Sequence, residues 1–217
     1  MKFYPINLNV ENKKCFVVGG GKVAARKISG LLDSGAKVEV ISPEVCEEIL
    51  HLAAQKKITL IQEKYSAEKI STGMILIAAT NDFELNKKIL RDGRNKNFLV
   101  NVVEGESDFN VPSKVERGDF LLTISTGGNS PAFSKFVREN LDQEFSADFG
   151  EGLKIISQKR QEVKKLLQNH EDRKNFWRRI LTPELWQLLK KGELEKVEEI
   201  IKNAVESAGA ELQDGSD

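Results

Sequence analysis

The stretch Lys14-Cys-Phe-Val-Val-Gly-Gly-Gly-Lys-Val-Ala-Ala-Arg-Lys27 decides the fold. Cys15 to Val18 is the short, unbroken apolar run of a strand covered on both faces. Three glycines, Gly19 to Gly21, follow at once, and Lys22 to Leu32 reads as a helix. Strand, tight glycine turn and helix, in that order, bring backbone N–H groups and a positive helix end against a pyrophosphate. The spacing is Gly19-x-Gly21-x-x-Ala24. In such a spacing the first glycine makes the turn, the second lets phosphate approach the backbone, and a small third residue lets the helix settle on the strand. Elsewhere three glycines are only a turn; here the strand before and the helix after favour nucleotide binding.

Working outward, the pattern repeats. Residues 3–8, Phe-Tyr-Pro-Ile-Asn-Leu, form an amphipathic start that packs beside the first strand. Lys37 to Ile41 is a second strand, stopped by Ser42-Pro43, and Glu44 to Gln55 is a helix with Val45, Ile49, Leu50 and Leu52 inward. Ile58 to Gln62 and the wholly apolar Met74 to Ala79 are the third and fourth strands. Thr80-Asn81-Asp82 breaks the fourth and caps a helix over 83–96, and Phe98 to Val103 is a fifth strand. Strands alternating with helices predict an α/β fold with a doubly wound parallel sheet.

After residue 112 the pattern changes. Phe120 to Ser125 is a strand, Thr126-Gly-Gly-Asn-Ser-Pro131 a loop, and Ala132 to Leu141 a helix. From about Gly150 the chain reads as helix only, with Leu153, Ile156, Val163, Leu166 and Leu167, then Phe176, Trp177, Ile180 and Leu181, at helical spacing. Thr182-Pro183 starts a helix, Gly192 breaks it before another over 193–205, and the tail from Gly209 to Asp217 reads as frayed. Trp177 and Trp186, spaced with leucine and isoleucine, read as core.

Composition narrows the function classes. The 33 basic and 33 acidic residues cancel, so no global field draws the chain to nucleic acid. No apolar run approaches the roughly 20 residues that span a bilayer, and the start lacks a secretory apolar region, which predicts a cytoplasmic protein. Cys15 and Cys46 stand apart without metal-type spacing and read as reduced thiols. His51 and His170 lack ligand spacing too, so no metal site is expected. The tail is polarised: residues 154–179 hold nine basic and three acidic side chains, net +6, and residues 182–217 hold four basic and nine acidic ones, net −5. Two readings stand: solvated faces that pair with each other, or a basic stripe that concentrates a polyanion.

Five motifs together resemble one family. They are Val17-Val-Gly-Gly-Gly-Lys-Val-Ala-Ala-Arg-Lys27, Ile77-Ala-Ala-Thr-Asn-Asp82, Val100-Asn-Val-Val103, Ser125-Thr-Gly-Gly-Asn-Ser-Pro131 and Asp172-Arg-Lys-Asn-Phe-Trp177. Their order and spacing, over nearly the whole chain, resemble the precorrin-2 dehydrogenases of sirohaem biosynthesis, some of which are also sirohydrochlorin ferrochelatases. The resemblance implies an NAD-binding Rossmann domain over residues 1–112, a small α/β dimerisation segment over 113–148 and an all-helical domain over 149–217. It further implies a homodimer that oxidises precorrin-2 to sirohydrochlorin with NAD as hydride acceptor, with iron insertion as a possible second activity.

Site expectations follow. The cofactor edge comprises Gly19, Gly21, Lys22, Val23, Ser42, Pro43, Glu44, Ala79 and Thr80. With no Arg at the end of the second strand to welcome a 2′-phosphate, NAD is favoured over NADP. Thr126, Gly127, Gly128, Asn129 and Ser130 read either as an anion nest for a tetrapyrrole carboxylate or as a tight turn at a dimer seam. Where the family usually has an aspartate as its proposed base, this chain has Glu104, in a loop about two residues shorter than usual. Asp108 is the other candidate, and a solvated turn of Glu104, Glu106 and Asp108 is the plain alternative. The rival to an enzyme is a non-catalytic dimer that senses NAD or a tetrapyrrole.

Overall fold

The computed structural model describes residues 3–214. Their packing divides into two compact units between Val111 and Pro112.

The first unit is a parallel sheet of five strands, β1 (Lys14–Val18), β2 (Lys37–Ile41), β3 (Ile58–Ile61), β4 (Ile75–Ala78) and β5 (Leu99–Val102), in the order β3-β2-β1-β4-β5. Between them run α1 (Lys22–Asp33), α2 (Glu47–Ala54) and α3 (Phe83–Asn95). Because side chains alternate along a strand, each inner strand feeds two cores. On one face Cys15, Val17, Val38, Val40, Ile75 and Ile77 meet Ala24, Ile28 and Leu31 of α1 and Ile49 of α2. On the other, Phe16, Val18, Ile41, Leu76, Ala78, Val100 and Val102 meet Ile89 and Leu90 of α3. Burial on both faces is why β1 from Cys15 onward and β4 read as unbroken apolar runs. The order reverses between β1 and β4, and there the diverging connections leave a crevice at the carboxyl ends of the strands.

The second unit opens with an antiparallel hairpin, β6 (Ser113–Arg117) and β7 (Phe120–Ile124). Five helices follow: α4 (Pro131–Glu144), α5 (Phe149–Leu166), α6 (His170–Ile180), α7 (Pro183–Lys191) and α8 (Leu194–Asp214). The side chains of Ser130, Asn169 and Thr182 cap α4, α6 and α7. One core joins Val115 and Phe145 to Phe149, Val163, Phe176, Ile180, Leu185, Leu189, Val197 and Ile201, so residues 113–148 and 149–217 share their apolar packing. Trp177 packs perpendicular to Phe176 in this core, whereas Trp186 stays 42% exposed, its ring nearly perpendicular to those of Phe145 and Phe149.

The start at 3–8 does not pack beside β1 as expected, since Tyr4 and Ile6 are 87% and 65% exposed, and Leu50 of α2 is exposed rather than inward. Three elements also differ from the sequence reading. Strand β6 was not expected, because Ser-Lys-Val-Glu-Arg shows a single apolar residue; Val115 is 1% exposed and anchors it. Helix α2 begins at Glu47 rather than Glu44, because the backbone at Cys46 is engaged with the glycine turn. Helix α8 continues past Val205 to Asp214, and residues 215–217 of the expected frayed tail lie outside the described residues.

Candidate functional site

At the carboxyl edge of the sheet the glycine turn is wedged between two other turns. Gly19 has φ +125°, and a Cβ there would lie 2.2 Å from the Ala79 carbonyl oxygen. A Cβ on Gly20 would lie 1.8 Å from the Glu44 oxygen and 2.7 Å from Ser42 Oγ. Backbone bonds tie the same segments: Gly19 N–H to Ile41 O at 3.1 Å, Cys46 N–H to Gly20 O at 2.7 Å and Ala79 N–H to Val18 O at 2.8 Å. Gly21 differs from its neighbours. A Cβ there meets nothing within 4 Å, and as N-cap of α1 it offers no side chain to the first turn. The helix therefore presents its opening N–H groups at a place where bulk can approach the backbone. Lys22 and Val23 sit exposed on that turn, and Ala24, fully buried, seats the helix on the sheet. These features fit the pyrophosphate of a dinucleotide.

Structure thus gathers Gly19, Gly21, Lys22, Val23, Ser42, Glu44, Ala79 and Thr80 around one edge, with Pro43 exposed beside them. Ser42 is 7% exposed, and its hydroxyl donates to the Glu44 carbonyl at 2.6 Å. It shapes the turn that carries Glu44, whose side chain faces solvent. Sequence reading missed Asn86. This residue of α3, 3% exposed, accepts from Thr80 Oγ1 at 2.7 Å and donates to Thr80 O at 3.0 Å, while Asp82 caps the helix through Leu85 N–H. An asparagine in line with Ile89, Leu90 and Gly93 on the apolar face of a helix was the available signal.

The acidic loop departs from β5 at the same edge. Val103 N–H donates to Ala78 O at 3.0 Å, and Glu104 follows on the exposed tip with Gly105 at φ +127°. The chain then doubles back along β5, the edge strand. Ser107 Oγ accepts from Val102 N–H at 2.8 Å, Asp108 Oδ2 accepts from Val100 N–H at 2.9 Å, and Asp108 N–H donates to Val100 O at 2.8 Å. Asn101 Nδ2 donates to Phe109 O at 2.9 Å, and its Oδ1 is buried without a partner. Arg94, in the last turn of α3, donates to Asp108 Oδ1 through Nε at 2.9 Å and Nη2 at 2.7 Å, and to Glu106 at 2.7 Å. Asp108 first, then Glu106, holds the guanidinium pKa above its ordinary value. The two candidate acids therefore differ: Asp108 is bonded through both oxygens, and Glu104 is the one at the open tip.

In the second unit the 126–130 loop closes on itself. Gly127 N–H donates to Ser125 Oγ, Asn129 N–H to Thr126 O and Ser130 N–H to Thr126 Oγ1, and Ser130 Oγ caps Phe133 N–H. Gly127 and Gly128 both take positive φ. Most amides that a nest would aim at an anion are thus engaged within the loop; Gly127, Gly128 and Asn129 stay exposed, and Thr126 and Ser130 are half-buried with their hydroxyls bonded inside the loop and the first turn of α4. His51 Nε2 lies 2.6 Å from Gln55 Nε2, and among the described residues no group of three or more His, Cys, Asp or Glu is placed to hold a metal ion. Among the described residues no helix is long and apolar enough to cross a membrane. The charged tail pairs mostly within a helical turn, Lys154 with Glu151, Lys159 with Glu162, Lys174 with Glu171 and Lys196 with Glu193, while Lys190 of α7 reaches Glu144 of α4 at 2.7 Å. Among the described residues no ion pair joins the basic stretch 154–179 to the acidic one after 182.

Comparison with known proteins agrees with this geometry. A family model described as NAD(P)-binding matches residues 6–113, and one described as the sirohaem synthase dimerisation region matches residues 150–205. The second match falls on the helical stretch, not on the 113–148 segment to which the sequence reading assigned dimerisation. The chain is 32% identical over 208 residues to the sirohaem synthase of Nitrosococcus oceani, covering 95% of this chain and 44% of that protein. To that of Psychromonas ingrahamii it is 35% identical over 200 residues, covering 90% of this chain and 42% of that protein. The chain thus spans less than half the length of the curated relatives it matches. A solved structure titled "SirC, precorrin-2 dehydrogenase" is similar with a TM-score of 0.74 at 26% identity, covering 93% of this chain and 98% of that one. With its glycine turn at the switch point of the sheet and both family regions in sequence, the chain belongs to the sirohaem synthase family, in the part that the solved precorrin-2 dehydrogenase shares.

Proposed function

We propose that this chain oxidises precorrin-2 to sirohydrochlorin with NAD, as a homodimer. The observation that carries the reading is the glycine turn: an uncapped helix start at Gly21, open to a phosphate, at the reversal between β1 and β4. Likeness to a precorrin-2 dehydrogenase over 93% of the chain supports the substrate. The dimerisation-region match over 150–205 supports self-association.

The reaction removes two electrons and two protons from a reduced tetrapyrrole, one hydride and one proton. NAD, when bound, supplies the hydride acceptor. The turns at 19–23, 42–44 and 79–80 would hold it along the sheet edge. Glu104 accepts the proton. Its exposed carboxylate lies past the end of β5, and one methylene more than aspartate lets it reach from a shortened loop. Asp108 serves structure instead, since abstraction of a proton would compete with its bonds to Val100 N–H and Arg94.

The test is anaerobic turnover of precorrin-2 and NAD, following NADH and sirohydrochlorin together, with Glu104→Gln and Asp108→Asn as single variants. NADH rising in step with sirohydrochlorin is the expected outcome. Glu104→Gln should lower kcat by about 100-fold, in the range of a lost general base. NAD binding without turnover in the parent chain would point instead to a sensor.

A further inference from the structure

The loop after β5 is fastened more firmly than a solvated turn requires. Glu104 lies between two anchors. On its amino side Val103 N–H joins Ala78 O, continuing the sheet by one bond. On its carboxyl side Ser107 and Asp108 stand in for a sixth strand: Ser107 Oγ bonds both Val102 N–H and Val102 O, and Asp108 bonds both Val100 N–H and Val100 O. Only Glu104, Gly105 and Glu106 are left between the anchors. Among the described residues Glu104 makes no side-chain hydrogen bond of its own, so its place depends on the backbone that carries it.

The carboxyl-side anchor in turn depends on Arg94. The Asp108 side chain is 22% exposed, and its Oδ1 takes two bonds from the Arg94 guanidinium, whose Nη2 also reaches Glu106. Both Oδ1 bonds are charge-assisted and come from adjacent nitrogens of a planar group, which fixes direction as well as distance. Arg94 itself is held by α3, whose other end is tied to the cofactor edge through Asn86 and Thr80. One helix thus connects the turn at Thr80 with the loop that bears the acid. We propose that Arg94, acting through Asp108, is a positioning residue that sets the Glu104 carboxylate at the sheet edge. The inference rests on Glu104 being the proton acceptor.

The sequence departure explains why such a clamp is needed here. A loop shortened by about two residues and carrying a longer acid has its reach set by backbone placement, and misplacement of a catalytic group by an ångström costs up to about 100-fold in rate. The Arg94 side chain is itself 41% exposed and its partners lie in the loop rather than in either core, so loss of Arg94 should loosen the loop and leave the fold intact.

The experiment compares kcat, the KM for NAD and the melting temperature of the full chain in Arg94→Gln, Arg94→Lys, Glu104→Gln and the Arg94→Gln/Glu104→Gln pair. Arg94→Gln should lower kcat about 10-fold or more while the KM for NAD stays within about twofold, because the glycine turn is not part of the clamp. Arg94→Lys should restore part of the rate, keeping charge but losing the fork. In the Glu104→Gln background Arg94→Gln should have no further effect, since residues acting as a unit are not additive. Arg94→Gln with unchanged kcat, or with its full loss persisting on top of Glu104→Gln, would overturn the clamp alone. A fall in kcat, NAD binding and melting temperature together would reduce Arg94 to a structural residue. Full turnover in Glu104→Gln would remove the assigned base, and the clamp with it.

Discussion

Adjacent glycines in one turn are asked for different things. Gly19 combines φ +125° with a backbone oxygen 2.2 Å from where its Cβ would be, and Gly21 has extended-region φ −84° with open space around it. Gly19→Ala should therefore destabilise the fold by more than about 2 kcal/mol, from strain at positive φ plus collision with Ala79. Gly21→Ala should cost less than about 1 kcal/mol, the difference between glycine and alanine at an N-cap. Both should weaken NAD binding at least 10-fold, the first because the turn deforms and the second because a methyl occupies the phosphate approach. Calorimetric titration with NAD beside thermal unfolding separates the two. If Gly21→Ala binds NAD normally, the phosphate does not lie over that residue.

Elements in the first unit are spaced by small residues as much as by large ones. A Cβ on Gly93 of α3 would lie 2.7 Å from both Leu76 Cδ2 and Val100 Cγ2. The helix is seated on β4 and β5 at a distance that only glycine permits. Overpacking costs about 1–3 kcal/mol, and alanine returns up to about 1 kcal/mol of helix propensity. Gly93→Ala should lower stability by about 1–2 kcal/mol net in urea unfolding, and it should shift α3, which carries Asn86 and Arg94. A neutral or stabilising result would mean that the sheet side chains have room to move aside. The five sheet strands and three helices of this unit were legible from their order around the glycine turn, and β1 and β4 most plainly, because strands buried on two faces leave an unbroken apolar run. Strand β6 was not, since a hairpin strand with one buried side chain carries no period to read.

For the whole molecule, the division at Val111 and Pro112 leaves each unit with cores drawn from its own residues. A fragment of residues 1–111 should accordingly fold alone and bind NAD within about threefold of the full chain's affinity, as expected of a domain with its own core. Circular dichroism and NAD titration of the fragment check this, and an unfolded fragment would show that the first unit needs the second. The fragment should not associate, because the dimerisation-region match lies wholly in the second unit. The tail's charges bear on this scale too. Pairs that form within a turn of one helix contribute about 0.2–0.5 kcal/mol each, so the +6 and −5 stretches bear on surface potential more than on stability.

The parallel sheet, the glycine turn and the residues that ring it were determined by the sequence itself, since burial on two faces and φ above zero each demand particular residue types in particular order. The acidic loop was another matter. Glu104, Glu106 and Asp108 are three carboxylates within five residues, and nothing in their spacing ranks one above another. Tertiary structure separates them, because Arg94 and the N–H of Val100 come from elsewhere in the chain and engage Asp108, leaving Glu104 at the tip. The anchoring of the Thr80 turn by Asn86 and the internal closure of the 126–130 loop were decided in the same way. A hydrogen bond depends on where the fold brings donor and acceptor together, and for side chains distant in sequence that is known only once the chain has packed.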